Sequence, residues 1–277
     1  MSWRLRVRHT TGYRYDKEVL SSYNEARLVP QSEPAQLTIS STVTTEPKAV
    51  QQRYWDYWGT QVTAFDIHEP HSELEVTATS LVDTTAPRPP GTISWAGLEA
   101  DRDLHAELLM PSARTAPDEE LLALAAEARS SATPYDAVLA LSQVVRDRVA
   151  YVPGSTGVQT NAHEAWHLGR GVCQDIAHVT LGLLRAAGVP ARYVSGYLHP
   201  RPDAELGELV TGESHAWVEA WLGGWWAYDP TNDLEVGERH VAVARGRDYG
   251  DVTPLKGVYA GGGSQSLGVR VEVTRLV

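Results

Sequence analysis

The chain has 277 residues and a formal charge of −11, from 24 Lys and Arg against 35 Asp and Glu, with 42% apolar and 21% charged residues. This is the composition of a folded globular protein of one large domain or two ordinary ones, not of a disordered chain. An acidic balance without a dense basic cluster argues against nucleic-acid and anionic-membrane partners, and no apolar run approaches the ~18 residues that a membrane span needs.

The first third reads as antiparallel β. Trp3, Leu5, Val7 and His9 alternate with Arg4, Arg6 and Arg8, a strand with one charged face. Residues 37–45 are rich in Thr, Ile and Val, residues 54–67 carry Trp58-Gly59-Thr60 as a turn between strands, and residues 74–82 alternate again. Such a run of short strands predicts a β-sandwich-like domain over residues 1–85. Ala86-Pro87-Arg88-Pro89-Pro90-Gly91 then opens a linker, residues 86–116.

The remainder, residues 117–277, reads as an α+β core with a C-terminal extension. Pro117-Asp118-Glu119-Glu120 opens a helix with acids in its first turn. Thr133 caps a second, with Pro134 at its first position and Val138, Leu141, Val144, Val145 and Val149 at helical spacing. A third apolar helix runs from Cys173 to Ala187 and stops at Gly188-Val189-Pro190. A strand over residues 192–198 and a hairpin over residues 213–229 follow.

Cys173 is the only cysteine, so it closes no internal disulfide and builds no multi-cysteine zinc site. A lone thiol fits a reducing compartment, and the start lacks the apolar core of a signal peptide; together they place the protein in the cytoplasm. A buried cysteine is often inert packing. At a helix start, however, unpaired backbone N–H groups and the helix dipole favour an anion and could form part of an oxyanion hole. Tyr151 is a further candidate donor to an oxyanion, although a packed strand-end tyrosine is the commoner case. His215, in Ser214-His215-Ala216-Trp217-Val218-Glu219-Ala220-Trp221, and Asp229, in Trp225-Trp226-Ala227-Tyr228-Asp229-Pro230-Thr231-Asn232, complete a nucleophile, base and orienter.

The hairpin between His215 and Asp229 sets a geometric condition. Side chains alternate along a strand, so a two-residue Gly223-Gly224 loop would send the two groups to opposite faces. A loop of residues 222–224 places Asp229 opposite Trp217, diagonal to His215; a loop of residues 221–223 places it opposite His215. An odd loop or a bulge is therefore expected. Nine Trp and twelve Tyr stand against one Phe, and Trp217, Trp221 and Trp226 cluster beside this pair. Core filling accounts for most such residues; Trp217 and Trp226 are also candidates for a substrate cleft. Glu219 shares the His215 face if the strand is regular.

A competing motif lies upstream. His163-Glu164-Ala165-Trp166-His167 matches the H-E-x-x-H pattern of zinc proteases, with Cys173 six residues later. The segment is short, bounded by Gln159-Thr160-Asn161 and Gly169-Arg170-Gly171, and carries Arg170 where a Gly would be expected. A zinc-dependent hydrolase using His163 and His167 is thus an alternative, as is a noncatalytic binding module.

Gly171-Val172-Cys173-Gln174-Asp175-Ile176-Ala177-His178, the 188–197 block from Gly188-Val189-Pro190, the segment around His215 and Asp229-Pro230-Thr231-Asn232 resemble the bacterial transglutaminase-like proteins. So do residues 246–259, with Thr253 where a second Pro is usual, and Tyr23-Asn24-Glu25-Ala26-Arg27-Leu28 resembles the group's β-rich leading domain. The resemblance implies a papain-like transglutaminase core, a Cys173, His215 and Asp229 triad, and no cofactor or metal. It implies acyl transfer from a peptide or protein amide through a thioester, to water or to an amine acceptor. Oligomeric state is not legible.

Overall fold

The computed structural model describes residues 2–263 and 265–277, the Glu213 side chain apart. Five strands come first: β1 (Ser2–Ala26), β2 (Gln36–Glu46), β3 (Gln51–Trp55), β4 (Gln61–Ile67) and β5 (His71–Thr85). The 25-residue β1 serves two neighbourhoods. Its first half pairs with β5, and its second half, from Ser22 to Ala26, pairs with β4. Alternation puts Leu5 and Val7 inside the main core, and a register shift between Val19 and Ser21 lets Val19 and Ala26, an odd seven residues apart, both enter a second apolar cluster with Phe65, Leu74 and Val76.

The linker is not bare chain. It carries α1 (Trp95–Ala100), whose N-cap Ser94 accepts from Gly97 N, and a 3-10 stretch, Arg102–Leu108. Leu98 and Leu108 are buried, and Asp101 accepts a hydrogen bond from Trp221 Nε1 at 2.9 Å. Polar composition and prolines hid this; the few buried apolar groups are enough to dock it onto the core.

Helix α2 (Glu119–Ala128) starts two residues after Pro117, capped by Asp118, and α3 (Pro134–Arg148) starts where its cap predicts, at Thr133. Thr133 and Asp136 form a reciprocal capping box with Pro134 at the first position. Two short parallel strands, β6 (Ala150–Tyr151) and β7 (Arg170–Gly171), bracket α4 (Ala162–Leu168). Helix α5 (Cys173–Ala186) follows, and residues Gln174 to Arg185 are all buried. It ends at Gly188 with φ +86°, a left-handed conformation that glycine adopts without a Cβ penalty.

Helix α5 packs on an antiparallel sheet of β8 (Ala191–Leu198), β9 (Leu209–Trp221), β10 (Trp225–Asp229), β11 (Leu234–Glu235) and β12 (His240–Gly246), in the order β12-β8-β9-β10-β11. After a single turn, α6 (Tyr249–Val252), the chain returns as β13 (Leu255–Gly261) and β14 (Gln265–Arg275). Both pair with β1, and β14 also pairs with β9 at residues 209–212. The expected C-terminal extension is thus part of the N-terminal sheet. Strand β9 passes from that sheet to the core sheet just before His215, where its partner changes from β14 to β8.

Among the described residues no helix is long and apolar enough to cross a membrane.

Candidate active site

The register of the β9–β10 hairpin answers the geometric condition. Trp225 pairs with Trp221 and Tyr228 with Val218, so the loop is residues 222–224, an odd count. Continued by one pair, the register sets Asp229 against Trp217, on the face of His215. Gly223 in the loop has φ +85°. His215 Nε2 meets Asp229 Oδ2 at 2.7 Å, and both side chains are buried.

Asp229 ends its strand, and Pro230 turns the chain back over it. Oδ1 accepts from the backbone N–H groups of Thr231 (3.0 Å) and Asn232 (3.2 Å), the local pairing that Asp favours in turns. Oδ2 accepts from His215, from Asn232 Nδ2 at 2.8 Å and from His240 Nε2 at 3.3 Å. Burial alone would raise the Asp229 pKa, but the hydrogen bonds from His215 and His240 hold it well below the usual carboxylate range. Burial likewise pushes His215 down; hydrogen bonds and charge attraction to Asp229 and Cys173 outweigh it and raise the imidazole to about 10. With Nε2 engaged by Asp229, Nδ1 is the ring nitrogen that remains, buried and without a closed hydrogen bond.

Cys173 is half-buried at the first position of α5. The start of that helix is fixed from behind. Asp175 Oδ2 accepts from Val172 N at 2.8 Å and from Thr156 Oγ1 at 2.5 Å. Burial raises the Asp175 pKa, against those two hydrogen bonds. Gly171 is required here, because a Cβ would sit 2.7 Å from the Asp175 Cβ. His178 faces away from this chemistry: its Nε2 accepts from Tyr249 N at 3.2 Å, and burial lowers it to about 3, so the ring is neutral.

The other sequence candidates fall into different places. Tyr151 pairs with Gly171, two residues before Cys173, and is 45% exposed. Trp217 is buried on the His215 side, with its ring T-shaped to that of His240 at 5.3 Å. Trp226 alternates to the other face and packs in the main core against Tyr135 and Tyr228. The two side chains thus leave opposite faces of the sheet. A cavity of about 340 Å³ borders both Trp217 and Trp226, together with Trp225, Glu219 and His240, but Cys173 does not border it. Glu219 shares the His215 face, yet its carboxylate is committed to Arg192 (2.6 Å) and Arg245 (2.8 Å). Burial would raise Glu219, but the two guanidinium groups lower it to about 2.

His163 and His167 lie on the seven-residue α4, capped by Asn161 and Gly169, and His167 Nε2 is engaged by Asp118 at 2.7 Å. Among the described residues the only His, Cys, Asp or Glu group of three or more with converging ligand atoms is His215, Asp229 and His240. The H-E-x-x-H segment is thus not assembled into a ligand set. Sequence reasoning missed His240 and gave Asn232 no role. A single histidine entering an apolar strand carries no signal of its own; only the fold brings it to Asp229.

A cysteine at the start of a buried helix, against a histidine and a carboxylate on adjacent antiparallel strands, defines a papain-like α+β architecture. The chain belongs to the transglutaminase-like superfamily. The model described as "Transglutaminase-like superfamily" matches residues 122–230, and that described as "Bacterial transglutaminase-like N-terminal region" matches residues 5–83. The chain is 49% identical to the Mycobacterium leprae protein ML0607 over 99% of both chains. It is 37% identical over 119 residues to the protein-glutamine gamma-glutamyltransferase of Pseudomonas aeruginosa, a match covering 39% of this chain and 18% of that one. A Cytophaga hutchinsonii structure provisionally named a cysteine protease covers 100% of this chain and 92% of its own, with 23% identity and a TM-score of 0.80.

Proposed function

We propose that the protein is a cysteine-dependent acyl-transfer enzyme acting on a peptide-like amide, with Cys173 as nucleophile, His215 as acid and base, and Asp229 as orienter. The observation that carries this reading is the state of His215: Nε2 is fixed on Asp229 at 2.7 Å, the ring is raised to about 10 by Asp229 and Cys173, and Nδ1 has no other partner. At neutral pH this favours an imidazolium, the proton donor that the departing amine needs.

The thiolate attacks the amide carbonyl, forming the S–C bond. The N–H groups of the first turn of α5, with Tyr151 as a further candidate, stabilise the developing oxyanion. His215 gives its proton to the departing amine as the C–N bond breaks, leaving a thioester on Cys173 and a free amine. Water or a second amine then attacks the thioester carbonyl, His215 takes the proton of the attacking group, and the thiolate leaves. Water makes a peptidase or amidase; an amine makes a transglutaminase. The matched segment of the Pseudomonas aeruginosa glutamyltransferase supports including the amine. The lone thiol supports a cytoplasmic, reducing setting.

The test is intact-mass spectrometry after exposure to p-nitrophenyl acetate and to cell-derived peptides, with and without chelator. An acyl adduct on Cys173 that is lost in Cys173→Ala and indifferent to chelator is expected. A thiol that forms no adduct with either probe overturns the reading. Adding a primary amine and following its incorporation separates transfer from hydrolysis.

A further inference from the structure

His240 stands outside the proposed triad and yet touches it. From β12 its Nε2 reaches the same oxygen, Asp229 Oδ2, that His215 holds. Its other nitrogen, Nδ1, accepts from Gly237 N at 3.4 Å. A ring that accepts at Nδ1 carries its proton, when neutral, on Nε2, so it donates to Asp229. The ring is buried against Trp217, and its centroid lies 6.3 Å from that of His215. Burial pushes its pKa down, so the neutral form is the one present; Asp229 acts against that, while His215 and Arg239 act with it.

We propose that His240 is a positioning residue for the reaction, a second imidazole that locks the Asp229 carboxylate so that it presents Oδ2 to His215. This rests on the reading of Cys173, His215 and Asp229 as the reacting centre. The geometry explains why a third donor matters. Oδ1 is held only by two N–H groups of the turn that Asp229 itself begins. Oδ2 is held from three separate pieces of chain: β9 through His215, the turn through Asn232, and β12 through His240. Five donors fill the roughly four lone-pair sites of a carboxylate, one of them more weakly, which leaves no room for water to compete. The β12 donor is the one anchored outside the hairpin, so it ties the carboxylate to the far side of the sheet. The three residues also converge closely enough to hold a cation, but such a cation would need the Nε2 lone pair of His240, which the Gly237 contact assigns to a proton.

Two effects of removing His240 oppose each other, and this makes the idea testable. Loss of a competing donor would strengthen the hold of Asp229 on the His215 imidazolium. Loss of the anchor would let the carboxylate drift and weaken it. A positioning role requires the second to win. The pH dependence of Cys173 alkylation by iodoacetamide reads this directly, because its upper inflection reports loss of the imidazolium proton. In His240→Phe the inflection should move down by roughly half a pH unit or more, with acylation by p-nitrophenyl acetate slowed about tenfold. His240→Gln, which keeps an N–H donor, should recover most of both.

An inflection in His240→Phe that stays in place or moves up, or a Gln variant no better than Phe, overturns the proposal. Histidine ring 15N spectra of the unaltered protein at neutral pH supply an arm independent of variant folding. A neutral His240 protonated at Nε2 is expected; protonation at Nδ1, or a metal-bound nitrogen, overturns it. If His215→Ala shifts the alkylation profile and His240→Phe does not, only this proposal falls. If wild-type Cys173 alkylates as an ordinary thiol indifferent to His215→Ala, the proposed function falls and this proposal with it.

Discussion

Replacing Asp229 by Asn keeps the size and removes the charge, and the structure says what must follow. Asp229 accepts five hydrogen bonds and donates none: two at Oδ1 from backbone N–H groups, three at Oδ2 from His215, Asn232 and His240. An asparagine has one acceptor oxygen. The backbone donors cannot move, so the oxygen turns to them and the NH2 group faces three donors. His215 relieves the clash only by presenting a bare Nε2, which puts its proton on Nδ1, the nitrogen left for Cys173. The base is then in the wrong tautomer and the imidazolium has lost its counter-charge. An analogous Asp-to-Asn change in serine proteases slows turnover about 10⁴-fold, and a fall of about 10³- to 10⁴-fold, some 4–5.5 kcal/mol, is expected here. Stopped-flow release of p-nitrophenol in the acylation burst measures it, with circular dichroism to confirm folding. A variant that acylates within about threefold of wild type would refute the assigned roles.

Four further outcomes follow from other parts of the molecule. His215 is raised from 6.5 to about 10, so its contribution to stability is fully present below pH 6.5 and is lost as pH rises through 10; Asp229 is depressed below 3.8, so its contribution is present above 3.8 and is lost as pH falls. The Tm gap between wild type and Asp229→Asn should therefore be widest between about pH 4 and 6.5 and shrink toward pH 10; a constant gap would contradict the pairing. Glu219→Ala strands Arg192 and Arg245 without their shared carboxylate and should cost about 3–5 kcal/mol in urea unfolding, whereas joint Glu219→Leu, Arg192→Met and Arg245→Met should recover much of it. Gly182→Ala improves helix propensity by about 1 kcal/mol but sets a Cβ 2.5 Å from Thr115 O, so a net loss of stability is expected, and a gain would show that the 86–116 segment does not pack on α5. Thr133→Ala removes a capping box and should lower stability by about 1 kcal/mol with acylation unchanged.

What the sequence disclosed and what it withheld follow a physical division. Helix ends depend on groups within three or four residues, so Thr133 and Gly188 announced two of them. Strand alternation is local too, and it set the condition, an odd loop or a bulge between His215 and Asp229, that the loop at residues 222–224 meets. The order of the sheet is not local. Nothing near residue 255 says that β13 and β14 will flank β1, 229 residues upstream for the pair Ala26–Leu255 and 266 for Val7–Val273. His240 is the sharpest instance. Its partner Asp229 is eleven residues away, but the path between them leaves one sheet edge and re-enters at the other, in the order β12-β8-β9-β10-β11. The fold brings the edge strand β12 within one hydrogen bond of the end of β10, and no window on the sequence can see across that gap. Residues that carry chemistry through a motif are therefore legible, and residues that hold such a motif in place from a distant strand become visible only in the fold.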